Sequence, residues 1–326
     1  MINAIYYSRI PKGGEHGGYL YVDHPQWRNY PHELLGAMRD AAGTAVVVCK
    51  EDTYLGDNTF SSYWLPSGNE TGYFECVNEP ITVDAIFDKG HFSKPATFSL
   101  VNAPDMRLIG RDKSRQYDLF GELQPFSRVV STGQLSDTID SVPGDKVVIK
   151  PLNLNGGKGI IIASKSEAKA AVNDLADQEW IVQQFIDSSK GISDLLSGVH
   201  DLRLYIIDGE AVLASVRQPK EGSLIANTSQ GGTINFFAVG QIPSVPIEIA
   251  KKVDESLSIY GNRYYSVDFI TDGENWYVLE INDRPGVPAT YQSEHVGEFH
   301  RRLAQCIADS SQNPLNKQKN TEGGAR

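Results

Sequence analysis

Asp268, Glu280 and Asn282 lie in the segment SVDFITDGENWYVLEIND, where two apolar, β-rich runs flank Asp272-Gly273. That pattern predicts an antiparallel hairpin. With the runs paired about a turn centred near Glu274, Asp268 and Glu280 face each other across the ladder, and Asn282, two residues on, points to the same face. Directly opposed carboxylates repel unless one takes a proton or a cation sits between them. Two carboxylates and an amide form a hard oxygen set that suits Mg2+, a cation that keeps waters and binds nucleotide phosphates.

A second candidate is KVVIKPLNLNGGKGIIIAS. Lys150 ends a β-branched strand, Asn155-Gly156-Gly157-Lys158-Gly159 makes a turn, and Ile160 begins another strand. A Walker loop needs GxxxxGK[ST] running into a helix, and here a strand follows. Phosphate must therefore be held differently: the glycines let backbone N–H groups approach it, while Lys150 and Lys158 bring positive charge.

Strand-like and helix-like runs alternate along the chain, which indicates an α/β class. Residues 2–7, 44–49 and 83–87 read as strands, and residues 54–78, rich in Gly, Ser and aromatics, read as irregular. Pro31 opens a helix with Leu34, Leu35, Met38 and Ala41 at helical spacing and Gly43 as its stop. A domain boundary is expected near Ala103-Pro104. Ser164 and Glu167 make a capping box for a helix to Leu175. Ser244 to Pro246 opens a helix carrying Val245, Ile249, Val253 and Leu257 on one face. A last helix spans about 294–309, and the polar residues after Asn313-Pro314 are expected to be a disordered tail.

Length and composition narrow the class. A chain of 326 residues can bury a sizeable core and hold two lobes, and a net charge of -11 argues against a nucleic-acid partner. Cys49, Cys76 and Cys306 form no close pair, which argues against a zinc knuckle or disulfide framework and for a reducing, cytoplasmic setting. No apolar run is long enough to cross a membrane, and the first residues lack a signal-peptide pattern. The seven histidines show no HExxH or HxH spacing.

The lysine-flanked glycine turn followed by the carboxylate hairpin resembles the ATP-grasp superfamily, most closely its glutathione synthetase and ribosomal-protein glutamate ligase branch. The resemblance covers about 107–309. It implies a two-lobed α+β ATP-grasp fold over 107–311, preceded by an N-terminal α/β pre-ATP-grasp domain over 1–106 and followed by a tail over 312–326. Arg111-Asp112-Lys113 matches the branch's RDK opening, so that Lys113 and then Lys150 in VIKP look like its two nucleotide lysines. The run from Ile181 through Gln183, Gln184, Phe185 and Ile186 is similar to the hinge strand whose backbone pairs with adenine. Asp201-Leu202-Arg203, the Asp208-Gly209 hairpin, Arg217, and Asn227 ahead of Gly231-Gly232 follow the branch's spacing. Asp268, Glu280 and Asn282 fall on its magnesium ligands. The resemblance leaves the ribose-binding acid open, as either Asp187 or Asp194, because the link from Asp187 to His200 is longer than in the ribosomal-protein ligases; Asp194 is taken into the cofactor set.

Two departures bear on substrate. Ile225 stands where the branch has an arginine two residues before the Asn, and Asp283-Arg284-Pro285 follows Asn282 in place of small residues. Arg284 is a candidate to hold a substrate carboxylate bidentately. The resemblance implies ATP and Mg2+, as two ions, and an acyl phosphate that an amine attacks while Arg203 or Arg217 stabilises the oxyanion. Strict pairing about Asp208-Gly209 would put Arg203 and Arg217 on opposite faces unless a strand bulges. The expected partners are a carboxylate and an amine, each small molecule or peptide, including a ribosomal peptide undergoing ring closure; a homo-oligomer is left open. An ATP-grasp kinase acting on an alcohol and a non-catalytic nucleotide sensor stand as alternatives.

Overall fold

The computed structural model describes residues 2–7, 17–20, 29–49, 51–68, 72–89, 92–152, 154, 159–226, 231–286, 288 and 295–317. The N-terminal part holds strands β1 (Asn3–Tyr7), β2 (Gly17–Tyr19), β3 (Ala45–Cys49), β4 (Tyr54–Gly56), β5 (Thr59–Phe60), β6 (Tyr63–Pro66), β7 (Tyr73–Val77), β8 (Ile81–Thr82), β9 (Ala85–Asp88) and β10 (Ser99–Leu100), with helix α1 (Asn29–Ala42). Seven of these strands form one sheet in the order β10-β9-β1-β3-β6-β7-β2. Its first four members run parallel, as β-branched AVVVC in β3 suggests for a strand covered on both faces. Leu34, Leu35 and Met38 on α1 are fully buried, and Gly43, at φ 79°, ends the helix.

Residues 54–78 are not irregular: they supply β4 to β7. These strands are two to five residues long and find distant partners, β3 against β6 through Val47 and Trp64, and β5 against β8. Runs so short carry little alternation, so no local pattern announces them.

The next part contains α2 (Pro104–Arg111), α3 (Lys113–Phe120), β11 (Ser127–Ser131), α4 (Leu135–Ser141), β12 (Lys146–Pro151), β13 (Ile161–Ser164), α5 (Lys165–Ala171) and β14 (Glu179–Gln184). Its antiparallel sheet has the order β11-β14-β12-β13. The capping box on α5 is present: Glu167 N donates to Ser164 Oγ at 3.3 Å and Ser164 N to Glu167 Oε2 at 3.0 Å. A second sheet, β17-β16-β15-β18-β19, is built from β15 (Asp201–Ile207), β16 (Glu210–Gln218), β17 (Thr233–Phe237), β18 (Tyr264–Thr271) and β19 (Trp276–Asn282). Helix α6 (Ser244–Leu257) covers one face and α7 (Val296–Ser310) follows. The buried side of α6 is Pro246, Ala250, Val253 and Leu257, while Val245 is 46% exposed. The stripe advances in steps of four, three and four, so the expected 245–249 start is one residue out of phase.

Alternation sorts the second sheet. Leu202, Leu204, Ile206, Val267 and Phe269 pack towards α6 and α2, and the intervening Arg203, Ser266 and Asp268 turn to the other face. Towards α7 that other face becomes apolar: Tyr205, Ile207 and Tyr264 join Phe299, Leu303 and Ile307, together with Leu34, Val47, Trp64 and Phe87 of the N-terminal part. The Tyr264 ring lies 5.7 Å from Phe87 and 5.5 Å from Phe299. The expected boundary near 103–107 is thus a change of sheet across a shared core. Asn102 there is buried, and its side chain donates to the carbonyls of Tyr264 and Asp283.

The ordered chain also continues past 312. Pro314–Asn316 makes a short 3₁₀ turn, and buried Asn316 donates to Leu100 O at 2.8 Å and Asn262 O at 2.7 Å. These hydrogen bonds fix a segment whose polar composition alone suggested a tail. Cys76 and Cys306 are free thiols. Among the described residues, no helix is long and apolar enough to cross a membrane.

Candidate active site

In the β18–β19 hairpin, Asp272 Oδ1 accepts from the backbone N–H of Glu274 at 2.9 Å and of Asn275 at 2.7 Å, and Gly273 takes φ 94°. Beyond this turn Thr271 pairs with Trp276, Ile270 with Tyr277 and Phe269 with Val278. Continued unchanged, that register would oppose Asp268 to Leu279 and throw Glu280 to the other face. A bulge between Asp268 and Phe269 instead pairs Asp268 with Glu280 and Ser266 with Asn282. The expected pairing is observed, but the bulge produces it.

A second bulge, between Tyr205 and Ile206, settles the orientation of the arginines. It pairs Arg203 with Ser215 and Asp201 with Arg217, so both guanidiniums share the face of Asp268. Arg203 Nε and Nη2 donate to the two oxygens of Asp268 at 2.6 and 2.7 Å. Arg217 Nη2 donates to Asp268 Oδ2 at 2.7 Å, and Arg217 also forms a bidentate pair with Asp201 at 2.7 Å for each bond. Burial alone would raise the Asp268 carboxyl, but its two guanidiniums outweigh this and hold it low. Burial pushes Asp201 up; the Arg217 pair opposes this, while the Asp268 charge adds to it. Asp268 accepts three N–H bonds, and an ionised carboxylate has about four lone-pair sites.

Lys150 Nζ donates to Gln183 Oε1 at 2.8 Å, and Gln183 Nε2 donates to Ser127 Oγ at 2.9 Å. Burial pushes Lys150 down to about 8, with Glu280 pulling up and Lys113 pushing down. Lys113 Nζ donates to Leu154 O at 2.8 Å and lies 3.8 Å from Glu280 Oε2, tying the nucleotide candidates to the carboxylates. Ile181 and Gln183 have ladder partners on both sides, and Gln184 pairs with Val147 while its backbone N–H donates to Phe126 O at 2.8 Å, so the backbone first leaves the ladder at Phe185 and Ile186. The Gln183 backbone is taken up by the ladder, and its side chain faces Lys150. Gly159 takes φ 70°, with the site of an added Cβ 3.2 Å from Pro151 Cγ. Asn155, Gly156, Gly157, Lys158 and Asn227 lie outside the described residues. Asp187 and Asp194 are both exposed; Asp187 Oδ1 accepts from Ser189 N at 3.0 Å, and Asp194 sits at φ 60° with Oδ2 accepting from Ser193 Oγ.

Sequence reasoning missed Gln116. Buried on α3 one turn after Lys113, its Nε2 donates to Ile281 O at 3.1 Å and its Oε1 accepts from Ile281 N at 2.9 Å. It thus grips the backbone between Glu280 and Asn282, and no spacing rule marks it. Asp201 was legible as part of Asp201-Leu202-Arg203, but not as the anchor of Arg217. Arg284 Nε donates to Asp283 Oδ2 at 3.1 Å.

The donor set fits Mg2+. Glu280 is partly open, with its side chain 29% exposed, Asp268 keeps one lone-pair site, and Asn282, paired with Ser266, adds an amide oxygen on the same face of the hairpin. Arg203, Arg217, Asp201 and Asp268 balance in charge, so a cation there would need anions such as phosphates opposite it.

The RimK-like ATP-grasp domain model matches residues 121–301. The chain belongs to this family. A Legionella pneumophila protein named "probable alpha-L-glutamate ligase" is 30% identical over 197 residues, 56% of this chain and 60% of that protein. A Maridesulfovibrio salexigens protein of the same name is 28% identical over 54% of this chain and 56% of its own. The chain thus matches somewhat over half the length of these relatives. The crystal structure of D-cycloserine synthetase DcsG superposes with a TM-score of 0.62 at 16% identity, over 95% of this chain and 100% of that one. ATP-grasp ligase PsnB complexed with a minimal precursor gives 0.58 at 14% identity, over 95% and 98%. D-alanyl-alanine synthetase A from Vibrio cholerae gives 0.58 at 12%, over 96% and 98%. At these identities the likeness is one of fold, an ATP-grasp fold of mixed α/β content behind an N-terminal sheet.

Proposed function

We propose that the chain is an ATP-dependent carboxylate–amine ligase that works through an acyl phosphate and releases ADP and phosphate. The ion pair between Lys113 and Glu280 carries this reading, because it brings a nucleotide lysine against the metal carboxylates. Family membership supports it. Lys113 and Lys150 would hold the ATP phosphates, and Phe185 and Ile186 the adenine edge. Two Mg2+ ions on Asp268, Glu280 and Asn282 would neutralise charge on the transferring phosphoryl group. No protein nucleophile is required: the substrate carboxylate attacks the γ-phosphorus, ADP leaves, and the amine then displaces phosphate from the acyl carbon. Arg203 and Arg217, already on the same face, would stabilise the oxyanion and the departing phosphate. The substrates are a carboxylate and an amine, each small molecule or peptide.

Screening carboxylates with MgATP and hydroxylamine tests the proposal. A hydroxamate forming together with ADP supports the ligase. A phosphorylated alcohol accumulating instead would replace it with a kinase, and nucleotide binding without turnover would replace it with a sensor.

A further inference from the structure

Ser266 Oγ and Asn282 Nδ2 are both buried, and neither has a hydrogen-bond partner among the described residues. The two residues face each other across the β18–β19 ladder, which puts their Cβ atoms about 4.5–5.5 Å apart on one face. On that face the Asp268–Glu280 pair lies to one side of them. To the other lies the apolar core of Tyr205 and Tyr264, and Ser266 is sealed from solvent. Water therefore does not reach the hydroxyl. A buried acceptor and a buried N–H, each lacking a partner and each within reach of the other, gain by pairing.

The backbone on either side of Asn282 is already held. Gln116 grips both polar groups of Ile281, and Asn102 donates to the carbonyl of Asp283. What these bonds leave undecided is the turn of the Asn282 amide about its last side-chain bond, which exchanges Oδ1 for Nδ2. Only Oδ1 can hold a cation, because Nδ2 is a donor in both of its hydrogens. We infer that Ser266 is a positioning residue that accepts from Asn282 Nδ2 and thereby turns Asn282 Oδ1 towards Mg2+. The inference rests on the ligase reading only in taking Mg2+ to sit at this hairpin. Ser215 supplies a matched contrast: its Oγ is also buried and without a partner, but its ladder partners are Arg203 and Phe236 and include no metal ligand.

Calorimetric titration of the full chain with ADP, once with Mg2+ and once with EDTA, tests the role without turnover. Ser266→Ala should weaken MgADP binding by about tenfold or more, as loss of a group that orients a metal ligand does, and leave binding of metal-free ADP unchanged. Its melting temperature without ligand should equal or exceed that of wild type, since the hydroxyl removed has no partner there. Ser215→Ala should hold MgADP affinity within about twofold. In the Asn282→Asp background the side chain has no N–H to satisfy, so adding Ser266→Ala should change MgADP affinity by no more than about twofold. Undiminished MgADP affinity in Ser266→Ala, an equal fall in Ser215→Ala, or the same fall in the Asn282→Asp background would overturn the inference. ADP binding by wild type that ignores Mg2+ would overturn it together with the metal set. Any of the first three results, with hydroxamate formed by wild type, would remove the inference and leave the ligase. Coupling of Ser266 to Asn282 with no hydroxamate from any carboxylate would keep the positioning role and remove the ligase.

Discussion

Gln116 and Ile281 are joined by two hydrogen bonds, the side-chain amide of one matched to the backbone amide of the other. The pair fixes the peptide that separates Glu280 from Asn282. Gln116→Leu strands both backbone groups and should cost about 1–3 kcal/mol of stability, read from denaturant melts. It should also raise the Mg2+ concentration needed for half-maximal ADP release by about tenfold or more, as loss of a group that orients metal ligands does. A melt that shifts without any change in Mg2+ dependence would reduce Gln116 to a packing residue.

Glu280→Gln keeps the size of the side chain and removes its charge. Turnover should disappear while the thermal melt without nucleotide stays close to wild type, since Glu280 is partly exposed and Lys113 keeps its carbonyl partners. Near-normal ADP release from the folded variant would exclude Glu280 from the metal set.

Lys150 gives a pH prediction. Its folded pKa of about 8 lies below the ordinary lysine value, so between about pH 8 and 10.5 the unfolded chain binds more protons and the nucleotide-free protein gains stability as pH rises. Phosphates beside Lys150 favour its charged form, so MgATP binding takes up a proton in the same window. The MgATP-induced rise in melting temperature should be full below about pH 8 and shrink towards pH 10. Lys150→Ala should remove most of the rise at pH 7 and flatten its pH dependence. An unchanged rise in the variant would make Lys150 an ordinary strand end.

Arg284→Ala should lower kcat/KM for the carboxylate substrate by about one to two orders of magnitude, the loss of a charge-assisted pair worth roughly 1.5–3 kcal/mol. Asp283, left without that partner, keeps its backbone bond from Asn102, so the fold should survive. ATP affinity measured by calorimetry should stay put; a fall in ATP affinity equal to the fall in kcat/KM would place Arg284 at the nucleotide instead.

The order of chemistry was legible in the sequence because it depends on local signals. β-Branched runs, Asp272-Gly273, Ser164 with Glu167, and the spacing of Asp268, Glu280 and Asn282 each reflect contacts made within a few residues or across one turn. Tertiary structure decided which groups meet. Two bulges, one at Asp268 and one at Tyr205, set the faces on which Glu280 and Arg217 lie, and a bulge changes a register by a single residue that alternation cannot locate. Gln116 on Ile281 and Asn316 on Leu100 join residues more than 100 positions apart, where no periodicity operates. The sequence by itself determined the strands, the turn chemistry and the donor types. Only the packing of the N-terminal sheet and α3 against the last hairpin decided how those donors are held, because the energy of a buried hydrogen bond or ion pair depends on partners that the chain brings together only once it is folded.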